Sequence, residues 1–136
     1  MRQDFWYPSK GEGNIHACRW LPEGKPKAIV QIVHGIAEFA ERYEDFACFL
    51  AEKGILVVAE DHMGHGQSVN GDGIRGYFHG CWFTAVADTM QLMEDTKAAN
   101  PVNICIEHGI IIIITKARHI IAIESFLFCF IKDFAF

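Results

Sequence analysis

Two short runs of residues carry the types and spacing that chemistry requires. The first is His34-Gly35-Ile36-Ala37-Glu38, followed by Glu41-Arg42-Tyr43, and the second is Asp61-His62-Met63-Gly64-His65-Gly66-Gln67-Ser68. His62 and His65 are spaced HxxH, as metal ligands can be, but no carboxylate or third ligand accompanies them at helical spacing, so no metal site is expected. Ser68 lies in Gly66-Gln67-Ser68-Val69-Asn70, one residue short of a G-x-S-x-G nucleophile elbow. Asn70 can take the left-handed conformation, yet no strand leads directly into Gly66, and an elbow needs one. Ser68 is therefore not expected to be a nucleophile. His34 reads as a hydrogen-bonded structural histidine.

Both runs follow a buried type of strand. Residues 28–33 and 55–59 are nearly continuous apolar segments, as in strands covered on both faces. Between them a helix is expected over residues 41–53, with Tyr43, Phe46, Ala47 and Leu50 at i, i+3, i+4 and i+7 on one face and Gly54 placed to end it. Residues 5–8 and 14–20 read as a strand pair joined by Lys10-Gly11-Glu12-Gly13. In the second, Ile15, Ala17, Arg19 and Leu21 alternate with His16, Cys18 and Trp20. A polar, glycine-rich loop spans 61–80. A second helix is expected over 82–99, with Phe83, Val86, Met90 and Met93 inward, ended by Asn100-Pro101. Residues 102–106 read as a third buried strand. Strands alternating with helices predict an α/β fold with a parallel sheet and an antiparallel hairpin at its edge.

The motifs, each at the carboxyl end of a strand, resemble the HGxxE…RY and DHxGHGxS signatures of the monoacylglycerol lipase and lysophospholipase branch of α/β-hydrolases, also classed as serine aminopeptidase S33-like. Gly76-Tyr77-Phe78, Trp82 and Asp88 continue the resemblance, which runs from about residue 5 to 101. It implies a partial α/β-hydrolase fold and acyl transfer to a serine, with lipid or small acyl esters as substrates and no cofactor. It implies that the backbone N–H of Ile36 is one oxyanion-hole donor, with Gly35 letting the chain turn closely. His34, Asp61, His62, Gly64, His65, Gly66 and Ser68 would form a structural motif beside the active site.

The resemblance also places a nucleophile elbow, typically GHSMG, after the third strand. There the chain reads Glu107-His108-Gly109-Ile110-Ile111, without the serine or the flanking glycines. No catalytic residue is therefore assigned. His119, Glu124, Ser125 and Asp133 are of triad types but fit no part of the pattern.

Composition breaks near Pro101. Before it isoleucine occurs six times in 101 residues; after it 11 of 35 residues are isoleucine, including Ile110 to Ile114 in succession. That run is at best a buried strand. Residues 1–101 are thus expected to be the N-terminal part of the hydrolase domain and 102–136 an atypical tail, as an AT-rich message read out of frame would give. The expected product is a truncated, catalytically inactive chain prone to self-association. An alternative is an interaction or membrane-surface module using the apolar tail. Lys116, Arg118, His119 and Glu124 interrupt that tail, so no membrane span is expected. A net charge of -5 gives no reason to expect nucleic acid. The five cysteines, unpaired in spacing, are expected to be reduced and mostly buried; with no signal-like N-terminus, this predicts a cytoplasmic protein.

Overall fold

The computed structural model describes residues 1–35, 37–69, 74–76, 82–100 and 110–112. Two extended segments, β1 (Arg2–Pro8) and β2 (Asn14–Trp20), form an antiparallel hairpin in which Phe5 faces Ala17 and Tyr7 faces Ile15. β1 starts three residues earlier than the apolar pattern indicated, because Arg2 and Gln3 pair with Trp20 and Arg19. β3 (Ala28–Ile32) and β4 (Ile55–Glu60) run parallel, Val30 beside Val57, and β2 joins the far side of β4 antiparallel. β5 (Ile110–Ile112) lies parallel to β3, giving the order β1-β2-β4-β3-β5. The expected strand over 102–106 lies outside the described residues. Among the described residues, the strand beside β3 is the isoleucine run Ile110–Ile112.

Strand periodicity sorts the core into two layers. Cys18, Trp20, Val30, Ile32, Val57 and Ala59 face one helix, α1 (Glu44–Glu52), and pack on its Ala47, Leu50 and Ala51, with Tyr43 and Phe46 alongside. A 3-10 turn over Ala40–Tyr43 precedes α1, so the expected single helix over 41–53 divides in two. Gly54 follows with φ 87°, the left-handed residue that ends a helix. On the other layer Ala17, Leu56 and Val58 pack on Leu92 of α2 (Trp82–Ala99), joined by Phe5, Tyr7, Leu21 and Ile29. Helices on opposite faces are what crossovers in opposite directions require: β3 to β4 moves one way along the sheet, and β4 to β5 returns past β3.

The expected inner stripe of α2 is corrected. Phe83 is 79% exposed, and Val86 and Met90 are exposed as well, while Asp88 and Leu92 are buried. Polar anchors set the helix's rotation. Asp88 accepts hydrogen bonds from the Ser9 hydroxyl (2.7 Å) and the Lys10 N–H (2.6 Å), and Gln31 Nε2 donates to the Thr89 carbonyl (2.9 Å). Burying Asp88 is tolerated because its carboxylate is paired, and those pairs hold the helix with Phe83, Val86 and Met90 turned outward.

No helix among the described residues is long and apolar enough to cross a membrane. Of the five cysteines, Cys18 and Cys48 fall among the described residues, both free thiols. Cys18 is buried and Cys48 exposed.

Candidate active site

The carboxyl ends of β3 and β4 open side by side, and both motif runs leave from there. In an open α/β sheet this edge is where ligands bind. From β3 comes His34, buried at 3% exposure. Its Nε2 lies 2.9 Å from the His62 N–H, so that nitrogen accepts; its Nδ1 lies 2.8 Å from the Gly35 carbonyl, so that nitrogen carries the proton. The ring is neutral in this arrangement. Burial, and next the neighbouring His62, push its pKa down to about 4.

Glu38, quoted in the motif but given no role by the sequence, secures the loop after β3. Its buried carboxylate accepts the Gly35 N–H (3.2 Å) and the Tyr43 hydroxyl (2.6 Å), while its own N–H donates to the Gly35 carbonyl (3.2 Å). Burial foremost, with Glu38 adding, raises the Tyr43 pKa. The Gly35 N–H is thus already committed within the protein. Ile36 lies outside the described residues. Ala37 holds a left-handed φ of 61°.

Asp61 organises the loop after β4. One carboxylate oxygen accepts the Ala40 N–H (2.7 Å); the other accepts the Gln67 N–H (2.9 Å) and lies 2.8 Å from His16 Nδ1. Ala40 opens the turn before α1, so this carboxylate ties both motif loops to β2. Ser68, fully buried, accepts the His16 N–H on its Oγ at 2.7 Å. Its own N–H reaches the His65 carbonyl and its carbonyl takes the Gly64 N–H, both at 2.8 Å. This hydroxyl caps backbone, and among the described residues no imidazole pairs with it.

His16 and Asp4 were not singled out from the sequence. His16 Nε2 lies 3.1 Å from Asp4 Oδ1, extending the Asp61 network to the edge strand. The Arg2 guanidinium, with His16 adding, holds the Asp4 carboxyl below its ordinary range. Glu60 was missed too. Buried at the end of β4, it accepts the hydroxyls of Thr89 (2.7 Å) and Tyr7, and His62 Nδ1 lies 3.1 Å away. Burial, then the Glu60 charge, raises the Tyr7 pKa. The available signal was the presence of acids and a histidine within strands otherwise destined for burial. His65 Nδ1 turns to the Met63 carbonyl at 3.2 Å, and no metal-binding group of three or more ligands occurs among the described residues.

The window 107–111, expected to hold the elbow, ends inside a strand. Ile110 and Ile111 pair with Val30 and Gln31, so those two positions are extended and not a turn.

The sequence profile of the serine aminopeptidase S33 family matches residues 24–109, most of the chain. The chain belongs to this family. Human monoglyceride lipase is 35% identical over 100 residues, which cover 73% of this chain and 32% of that enzyme. Protein K6 of vaccinia virus is 45% identical over 53 residues, covering 39% of this chain and 64% of that one. Among solved structures, a thermostable carboxyl esterase from Bacillus coagulans in complex with glycerol superposes with a TM-score of 0.67 at 30% identity, over 74% of this chain and 33% of the esterase. The chain is thus a monoacylglycerol lipase-like N-terminal region with an α/β-hydrolase fold, and it spans about a third or less of the lipases it matches.

Proposed function

We propose that this S33-family chain carries the oxyanion-loop side of a serine ester hydrolase without a nucleophile of its own, and that over these residues it does not perform serine acyl transfer. In this reading Ile36 supplies the backbone donor, and Gly35, His34, Asp61, His62, Gly64, His65, Gly66 and Ser68 shape and brace the loops. The ancestral substrates are lipid or small acyl esters.

The observation that carries the reading is β5. The strand that takes the place beside β3 is Ile110–Ile112, preceded by Glu107-His108-Gly109 and followed by Ile113-Ile114-Thr115. Neither flank offers a serine between small residues, and the covalent route requires one. Ser68, the nearest sequence mimic, is committed to the His16 N–H. The domain division at about residue 101 and a frame-shifted origin for residues 102–136 belong to the same reading.

Labelling with a fluorophosphonate probe, alongside p-nitrophenyl butyrate turnover, tests it. No serine adduct and no probe-sensitive turnover are expected. A stoichiometric adduct on any serine, with parallel loss of turnover, overturns it. Restoring one base near the codons for residues 101–109 is expected to recover a GxSxG segment; if no frame does so, the frame-shifted origin fails.

Self-association is part of the proposal. Trp82, Phe83, Val86 and Met90 leave an exposed apolar row on α2, a surface that favours contact with other apolar surface. Sedimentation velocity showing one monomeric species with a cooperative melt overturns that part.

A further inference from the structure

His62 is the one motif histidine whose surroundings resemble a working imidazole. Its Nδ1 faces Glu60 Oε1 at 3.1 Å, and Glu60 is buried with two hydroxyl donors already on it. A carboxylate only accepts, so Nδ1 carries a proton, and in the neutral ring the lone pair lies on Nε2. Among the described residues no group pairs with Nε2, and the side chain is 17% exposed. The ring rests on His34 with centroids 4.2 Å apart, and the His62 N–H is tied to His34 Nε2, so its position is held from two sides. It stands beside His34, at the carboxyl edge of the sheet where ligands bind in folds of this kind. The Asp61 brace uses none of its ring atoms.

We infer that Glu60 and His62 form a dyad in which His62 Nε2 is a nucleophile toward small activated aryl esters, independent of any serine. The Nε2 lone pair attacks the acyl carbon, an N–C bond forms, and the bond between the acyl carbon and the aryloxy oxygen breaks, its electron pair leaving on the phenolate. The acyl-imidazolium keeps its Nδ1 proton against the Glu60 carboxylate, which offsets the new positive charge. Water then adds to the acyl carbon and the N–C bond breaks, returning its electron pair to Nε2. The products are the carboxylic acid and the phenol, with one water consumed. Imidazole is among the side chains that form such intermediates, and an orienting third group is the usual accompaniment.

This inference stands beside the proposed function and not on it. The test uses p-nitrophenyl acetate with the full chain, against seven equivalents of free imidazole, since the chain has seven histidines. Turnover above that background is expected, insensitive to a serine-directed sulfonyl fluoride and at least tenfold lower in His62→Gln. Acid quench and mass spectrometry should place a hydroxylamine-sensitive acetyl group on residue 62. If His62→Gln loses its far-UV dichroism, the acetyl map on the unaltered chain decides alone. An acetyl group elsewhere, undiminished turnover in a folded His62→Gln, or no turnover above imidazole overturns the dyad while leaving the proposed function standing. Turnover abolished by the sulfonyl fluoride overturns both.

Discussion

The carboxylate of Asp61 occupies the space that a side chain on Gly66 would need: a Cβ built there falls 2.2 Å from both Asp61 Cγ and Oδ2. Gly66 also holds φ 49°. Gly66→Ala therefore must displace a buried carboxylate that serves the Ala40 and Gln67 N–H groups and His16. Disturbing a buried charged network of this sort costs about 3–5 kcal/mol. Chemical denaturation of the variant should show a loss of that size or outright failure to fold; a loss below about 1 kcal/mol would show that the loop relaxes freely.

His34 makes stability depend on pH. Its folded pKa of about 4 lies below the ordinary 6.5, so the unfolded chain takes up the proton first. The stabilising contribution is complete above pH 6.5 and is lost as pH falls through that window toward 4. Each pKa unit corresponds to about 1.4 kcal/mol. The midpoint of thermal unfolding for His34→Gln should fall less steeply between pH 7 and 5 than that of the unaltered chain. Parallel curves would refute the assignment.

Ser68→Ala separates brace from nucleophile. The change strips the buried His16 N–H of its acceptor, which costs about 1–3 kcal/mol. A lower denaturation midpoint is expected, with ester turnover per folded molecule unchanged. Turnover that vanishes while the fold persists would contradict the reading of Ser68 given above.

Asp88 tethers α2 to the hairpin turn. Asp88→Ala removes the acceptor for the Ser9 hydroxyl and the Lys10 N–H, and a loss of about 1–3 kcal/mol is expected. Hydrogen exchange should accelerate at Lys10 and Gly11 before it does at Val57 or Val58. Uniform acceleration would mean that the tether is no more than part of the global core.

Much of the frame was legible because burial writes itself into strand alternation. Cys18 and Trp20 against Ala17, and Val57 against Leu56, sort to the faces that a period of two requires. The rotation of α2 was not legible. Hydrophobicity points Phe83, Val86 and Met90 inward, whereas the helix turns on Asp88, whose partners Ser9 and Lys10 lie far away in sequence. The motif loops were legible as a place but not as a network. His16, Asp4 and Glu60 act through contacts between strands that no local spacing encodes. The place of the isoleucine run was not legible either: as sequence it is only an apolar run, and its pairing with Val30, Gln31 and Ile32 is a contact between distant segments.

The strand order has a consequence in time. β1, β2, β4 and β3 are contiguous in the sheet and all come from residues 2–60, whereas β5 attaches at the rim after a detour of 49 residues. During synthesis the first four can zip together while the rest of the chain is still being added, at about 5–20 residues per second. The rim strand then arrives at a template already made, needing little more than extended shape and apolar side chains. Such an assembly line places strict demands on its early parts and lenient ones on its last, which accords with a chain whose recognisable motifs all precede its last strand.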